Sequence, residues 1–219
     1  NVNKVIFASS GGVMYGECGK TAPDENKIPM PLSPYGVAKH TVEHYLKYYS
    51  ATYNLKYTAL RYGNVYGPRQ DPYGEAGVVA IFIKKILSGE IVNIFGNGEQ
   101  LRDYVFIEDV VAANILSLNK GYNEIINIGS GKTLSVNSLF FELSRISGYT
   151  KKPVYKKARA GELFKSSLNV AKAKKILNWS AKTDFTSGLI KTFNYFLSLN
   201  QNTIPIYRDG CSSICSESR

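Results

Sequence analysis

Lys4-Val5-Ile6-Phe7-Ala8-Ser9-Ser10-Gly11-Gly12, Ser33-Pro34-Tyr35-Gly36-Val37-Ala38-Lys39 and Lys56-Tyr57-Thr58-Ala59-Leu60 decide the fold. The first run is short and apolar, with branched residues, and ends in small ones. It reads as a buried parallel strand that opens into a loop. In the second run Ser33 suits an N-cap and Pro34 the first helical position. Ala38, Val42, Tyr45, Leu46 and Tyr49 then follow at helical spacing. The third run is a second strand, leaving through Arg61-Tyr62-Gly63-Asn64. Strand, helix, strand is a βαβ unit, and a βαβ unit implies a parallel sheet.

Working outward, Val78 to Leu87 reads as a helix and Val92 to Phe95 as a short strand before the turn residues Gly96-Asn97-Gly98. Asp103 to Ile107 is strand-like, with Glu108 or Asp109 placed to cap a helix running to Leu118. Glu124 to Ile128 is another apolar strand, closed by Gly129-Ser130-Gly131. Ser135 is placed to cap a helix that stops near Gly148. Short helices follow around Val170–Leu177 and Thr186–Leu197. The pattern dissolves from Asn200, where a disordered tail is expected. The fold class is therefore α/β. Residues 1–64 and 103–131 belong to a doubly wound parallel sheet, and 65–102 and 132–199 to a smaller mixed domain.

The 219 residues, 44% of them apolar, have the balance of a globular chain, and no stretch approaches the roughly 18 apolar residues of a membrane span. The opening strand is too short for the apolar region of a signal peptide. Three cysteines do not make a secreted disulfide framework, and Cys211 and Cys215 lack the neighbours of a metal site. A cytoplasmic, reduced protein without a metal is expected. The net charge of +10 fits either solvated lysine faces or a polyanionic partner. Neither zinc-finger spacing nor an RNA-recognition motif is present, so no nucleic acid and no membrane are expected.

Tyr35 and Lys39, four apart, project from one helix face. A free phenol holds its proton until about pH 10, so it is a poor base at neutral pH. An ammonium one turn away favours the phenolate. That pair is a base for a hydroxyl proton, and Ser10, at the end of the preceding strand, is placed to hydrogen-bond the same oxygen. Tyr-x-x-x-Lys alone occurs in many helices. Its weight here comes from the strand ending in Ser-Ser-Gly-Gly, the Ser-Pro helix start and the second strand.

With these runs the chain resembles the extended short-chain dehydrogenase/reductases, the NAD-dependent epimerase/dehydratase family, and within them the UDP-glucose 4-epimerases of bacteria and archaea. The resemblance extends through Leu60-Arg61-Tyr62-Gly63-Asn64-Val65-Tyr66-Gly67-Pro68-Arg69, Ile94-Phe95-Gly96-Asn97-Gly98-Glu99-Gln100-Leu101-Arg102-Asp103-Tyr104 and Asn127-Ile128-Gly129-Ser130-Gly131, covering residues 1 to about 198. It implies a Rossmann-type sheet with NAD as cofactor. Ser10, Tyr35 and Lys39 would be the catalytic set. Ala8, Ser9 and Tyr62 would join Tyr35 and Lys39 around the cofactor. Ser10, Tyr35, Asn64, Phe95, Arg102, Arg159, Glu162 and Ser166 would meet a UDP-sugar, with Phe95 at the uracil and Arg102 on the diphosphate, where a rigid guanidinium fork fits. Arg159-Ala160-Gly161-Glu162 is similar to an Arg-Pro-Gly-Asp motif, with Ala for Pro and Glu for Asp. Ser166, four beyond Glu162, would flank the C2 substituent, and a serine there would admit N-acetylated sugars as well. Plainer readings stand beside these: Phe95 as core, Arg102 paired to Asp103, Arg159 and Glu162 as a helix-start ion pair.

The activity implied is NAD-dependent 4-epimerisation of a UDP-hexose of the UDP-glucose/UDP-galactose type through a 4-keto intermediate. Family 4,6-dehydratases carry Asp-Glu where this chain has Gly11-Gly12, which disfavours dehydration. Uronic-acid epimerisation or decarboxylation remains open. No Gly-x-Gly-x-x-Gly run follows an opening strand, so the chain is expected to lack the N-terminal third of such a protein. It would then need that missing half, or a homo-oligomer, as a partner, and alone could be an inactive fragment.

Overall fold

A computed structural model describes residues 2–73, 77–159 and 161–201. Strands β1 (Lys4–Ser10) and β2 (Lys56–Tyr62) pair in parallel, Lys4 opposite Lys56 and Ser10 opposite Tyr62, with helix α1 (Pro34–Tyr53) between them in the chain. The third strand of this sheet, β7 (Glu124–Ile128), pairs with the other edge of β2, Tyr62 opposite Ile128. Order β1-β2-β7 sets Ser10, Tyr62 and Ile128 side by side at the C-terminal rim. Open parallel sheets bind ligands at that rim.

α1 begins as its residues dictate. Ser33 is extended, its Oγ accepts from the Gly36 amide at 3.1 Å, and Pro34 opens the helix. Asn54 ends it in the left-handed conformation at φ 56°.

The smaller lobe follows. β3 (Asn64–Tyr66) pairs with β6 (Tyr104–Phe106), and β4 (Asn93–Phe95) with β9 (Val154–Lys156). β5 (Leu101–Arg102) lies between β10 (Lys165–Ser166) and β8 (Leu134–Ser135). Helices α2 (Val78–Leu87), α4 (Val136–Ser147) and α6 (Phe185–Gln201) bury Phe82, Ile83, Leu139, Phe140, Leu143 and Leu189 in one core. α4 is capped at Ser135 and stopped by Gly148 at φ 69°, as its residues predict.

A second core lies on the sheet: Leu60, Ile126 and Ile128 against Val110 and Ala113 of α3 (Ile107–Ser117). β6 joins the two. Alternation along a strand sends neighbours to opposite faces, so Val105 enters the sheet core while Tyr104 and Phe106 enter the lobe core. Burial of one such side chain stabilises by about 1.5–3 kcal/mol.

Three expectations are corrected. α3 is not capped by Glu108 or Asp109: its N-cap is Phe106, without a side-chain bond. The Asp109 carboxylate accepts from the amides of Lys182 and Thr183, both at 3.0 Å, and so docks a returning segment. That segment and the helix before it, α5 (Ala171–Leu177), put Ala173, Leu177 and Trp179 into the sheet core rather than the smaller lobe. α6 carries on through Asn200 to Gln201. The remaining tail, with Cys211 and Cys215, lies outside the described residues. No described helix is long and apolar enough to cross a membrane.

Candidate active site

The exit from β1 is tight. The amides of Gly11 and Gly12 both donate to the Tyr62 carbonyl, at 2.7 and 3.2 Å, which folds the loop over the end of β2. A Cβ on Gly11 would meet both Leu168 methyls at 2.7 Å. This turn borders a cleft of about 580 Å³ lined by Ser10, Tyr35, Asn64, Gln70, Arg102 and Glu162, among others. A second cavity of about 280 Å³ shares Asn64, Arg102 and Glu162 and continues to Phe95, Gln100 and Arg159. Together they form one groove from the sheet rim into the smaller lobe, in the size range of small-molecule sites.

At the rim end Tyr35 is 55% exposed. Lys39 Nζ donates to the Ala8 carbonyl at 2.7 Å and lies 5.6 Å from the Tyr35 ring centre. Ala8 thus enters the site through its carbonyl, as the seat of the lysine.

In the lobe, Arg102 Nη2 reaches Glu162 Oε1 at 3.1 Å, and Nη1 donates to the Leu101 carbonyl at 2.9 Å. The plainer pairing with Asp103 does not occur. Asp103 is buried and accepts from Ser130 N and Oγ, both at 2.7 Å, and from Gly131 N at 3.1 Å. Burial pushes its carboxyl up, against these bonds. The Arg159 guanidinium sits 4.1 Å over the Phe95 ring, a cation–π contact, so it is not the partner of Glu162.

Five expected site residues line neither cavity: Ala8 and Lys39, just described, Ser9 and Tyr62, both expected at the cofactor, and Ser166. Ser9 is buried and its Oγ donates to Glu43 Oε1 at 2.7 Å. Tyr62 turns to the sheet core, and its Oη donates to Asn114 Oδ1 at 3.0 Å. Ser166, 4% exposed, donates to the Gly12 carbonyl at 3.0 Å and lines neither cavity. Each hydroxyl is held by a group far away in the chain, which no local spacing foretells.

Other residues were missed. Glu17 accepts from the amides of Phe164 and Lys165 at 2.8 and 2.7 Å, strapping the loop after β1 to the lobe. It is a lone acid in a loop and gives no pattern. Tyr104 Oη, close enough to Arg102 and Glu162 to feel both charges, has no hydrogen-bond partner among the described residues. Arg61 and Glu43 form a buried fork: Nε to Oε1 at 2.9 Å and Nη2 to Oε2 at 2.6 Å. Arg61 Nη1 also donates to Tyr15 Oη at 2.7 Å, and Tyr15 Oη to Asn127 Oδ1 at 2.8 Å. Burial pushes the Tyr15 phenol up to about 12 despite the Arg61 charge.

The family model of the NAD dependent epimerase/dehydratase family matches residues 1–129. The crystal structure of UDP-glucose 4-epimerase from Thermotoga maritima, with UDP-glucose, superposes with a TM-score of 0.89 at 54% identity, over 91% of this chain and 65% of that one. The UDP-glucuronic acid 4-epimerase of Bacillus cereus, with UDP-glucuronic acid and NAD, follows at a TM-score of 0.83 and 33% identity, over 90% of this chain and 62% of that one. The UDP-glucose 4-epimerase of Mycolicibacterium smegmatis is 37% identical over 91% of this chain and 64% of its own length. The chain thus spans a little under two thirds of the length of these proteins.

Proposed function

The chain belongs to the NAD dependent epimerase/dehydratase family, and on that premise we propose that it carries the acid–base residues and sugar-nucleotide groove of an enzyme inverting C4 of a UDP-hexose, of the UDP-glucose/UDP-galactose type. One observation carries this reading: two cavities that share Asn64, Arg102 and Glu162 have Ser10 and Tyr35 at one end and Arg159 and Phe95 at the other, with Arg102 between. A sugar hydroxyl meets the first group, and a diphosphate and flat base meet the second.

NAD fits the rim as far as its nicotinamide ribose. Lys39 has given one of its three N–H donors to Ala8 and keeps two, next to a half-exposed Tyr35. When bound there, NAD supplies the acceptor that takes hydride from C4 and returns it. Tyr35 Oη takes the proton of the 4-hydroxyl and hands it back to the 4-keto oxygen. The Lys39 ammonium stabilises the phenolate that precedes the first transfer and is restored by the second. Ser10 Oγ hydrogen-bonds the reacting oxygen in both directions. Inversion requires the keto sugar to present its other face. The sugar end has small walls at Gly12, Val13 and Gly63, while the arginines hold the diphosphate.

The uronic-acid alternatives need a counter-charge for a sugar carboxylate. Among the described residues lining the sugar end, Arg102 is the only cation, and this reading gives it to the diphosphate, which leaves none for a sugar carboxylate. This favours a neutral hexose. The test is product analysis by NMR with NAD and, separately, UDP-glucose and UDP-glucuronic acid. With the segment that its relatives have beyond this chain's span supplied as a partner, conversion of the first to UDP-galactose is expected, with most turnover lost and the melting curve unchanged in Tyr35→Phe. Near-normal turnover in that variant, or preference for the uronate, overturns the reading.

A further inference from the structure

We propose that Glu43 is a positioning residue, one that sets the rotation of α1 so that Tyr35 and Lys39 face the rim. The proposal rests on the reading of those two residues as the acid–base pair. Tyr35, Lys39 and Glu43 succeed one another at intervals of four and so lie on one stripe of the helix. The first two do not fix that stripe, because Tyr35 is half exposed and Lys39 is a long side chain with one bond to the strand. Besides Glu43 the helix is seated by Leu46, against Tyr57 and Ala59 of β2, and by Gly36, against Pro31 and Val13, and neither makes a directional bond through its side chain. Of its twenty residues only Gly36, Glu43 and Leu46 are buried, while Tyr45, Tyr48, Tyr49 and Tyr53 are exposed.

Glu43 is 1% exposed and both its oxygens are used. Oε1 accepts from Ser9 Oγ and Arg61 Nε, and Oε2 from Arg61 Nη2. A two-point fork constrains direction as well as distance. Its partners are also the right ones. Ser9 precedes Ser10, and Arg61 precedes Tyr62, whose carbonyl holds Gly11 and Gly12. Through Tyr15 the same guanidinium reaches Asn127 in β7. One carboxylate thus ties the helix bearing Tyr35 and Lys39 to the strand ends that shape the rest of the site. Stability alone is a poor reason for the pair, since well-packed apolar residues often replace a buried ion pair without loss. Direction is what they do not replace.

Glu43→Leu with Arg61→Met removes both charges together and leaves no buried ion unpaired. The chain is treated with an amine-acylating reagent, and Lys39 labelling is read by mass spectrometry against Lys47, an exposed lysine on the same helix. With the melting temperature kept, the Lys39 to Lys47 ratio should rise about fivefold, as for the loss of one hydrogen bond. Epimerase kcat should fall roughly ten- to hundredfold, the scale of a misplaced catalytic group, with the KM for UDP-glucose within about twofold. An unchanged labelling ratio or an unchanged kcat in the folded double variant overturns the proposal. If the double variant does not fold, Glu43→Gln, measured well below its own melting temperature, is read in the same way. Failure of both to fold assigns Glu43 to folding alone and also overturns it. A wild-type chain that turns over no UDP-sugar even with the segment its relatives have beyond this chain's span supplied removes the functional reading, while the labelling ratio still decides what Glu43 does.

Discussion

Gly36→Ala tests whether α1 is seated as tightly as the groove requires. A Cβ at Gly36 would stand 2.8 Å from Pro31 Cβ, 3.2 Å from the Val13 carbonyl oxygen and 3.3 Å from Val13 Cγ2. Two of these neighbours belong to a proline ring and a backbone carbonyl, so neither can swing aside. Overpacking of this kind costs up to about 3 kcal/mol. Alanine regains about 1 kcal/mol over glycine within a helix. The net loss is up to about 2 kcal/mol, a fall in melting temperature of up to about 4–8 °C for a domain of this size. The assay is a thermal melt by circular dichroism, with Gly19→Ala as control. Nothing lies within 4 Å of a Cβ built on Gly19, so the control should stay within about 0.5 kcal/mol of wild type. Val13 also lines the sugar end of the groove, and binding of UDP-glucose should weaken in Gly36→Ala. If Gly36→Ala melts at or above wild type while the control is silent, the clash is not real and the helix start is looser than these distances state.

Arg102→Lys keeps the charge but loses the fork, and calorimetry with UDP should show affinity reduced about tenfold or more, on the scale of a lost charge-assisted bond; equal affinity would remove Arg102 from the phosphate site. Ser166→Tyr breaks the bond to the carbonyl of Gly12, which lines the sugar end; if position 166 gates the C2 substituent, kcat/KM for UDP-N-acetylglucosamine should fall more than that for UDP-glucose, and equal slowing of both would place the gate elsewhere. Glu142 is held down to about 2 by its bonds to Arg145 and Thr186. Its carboxylate therefore stabilises the fold above the unfolded value of about 4.3, and that stabilisation is lost as pH falls from there through about 2. The gap in melting temperature between wild type and Glu142→Gln should correspond to less than about 1 kcal/mol at pH 7, as for a surface pair, and close toward pH 2. A gap that does not narrow with pH would show that the ion pair is not its source.

The rim of the site was legible before any coordinates. A serine cap, a proline in the first helical position and a four-residue interval specify α1 and the common face of Tyr35 and Lys39 through forces that act within one helical turn. β7, α2 and α4 are equally local, the last bracketed by Ser135 and Gly148. The resemblance singled out Asn64, Phe95, Arg102, Arg159 and Glu162 as substrate contacts, and all five line one cavity, which leaves their role to the binding experiments.

What the chain alone left undecided is which polar group each side chain meets. Arg102 and Glu162 pair across 60 positions, and Asp109 is diverted from helix capping to amides 73 and 74 positions away. Ser9, Tyr62 and Ser166 carry hydroxyls suited to a ligand, yet Glu43, Asn114 and Gly12 hold them. Capping and periodicity follow from backbone angles within a turn or two, so sequence determined the elements and the stripe that carries Tyr35 and Lys39. Hydrogen-bond partners follow from which strands and helices are brought side by side. That juxtaposition was decided by burying two apolar cores about β6, and only the tertiary structure contains it.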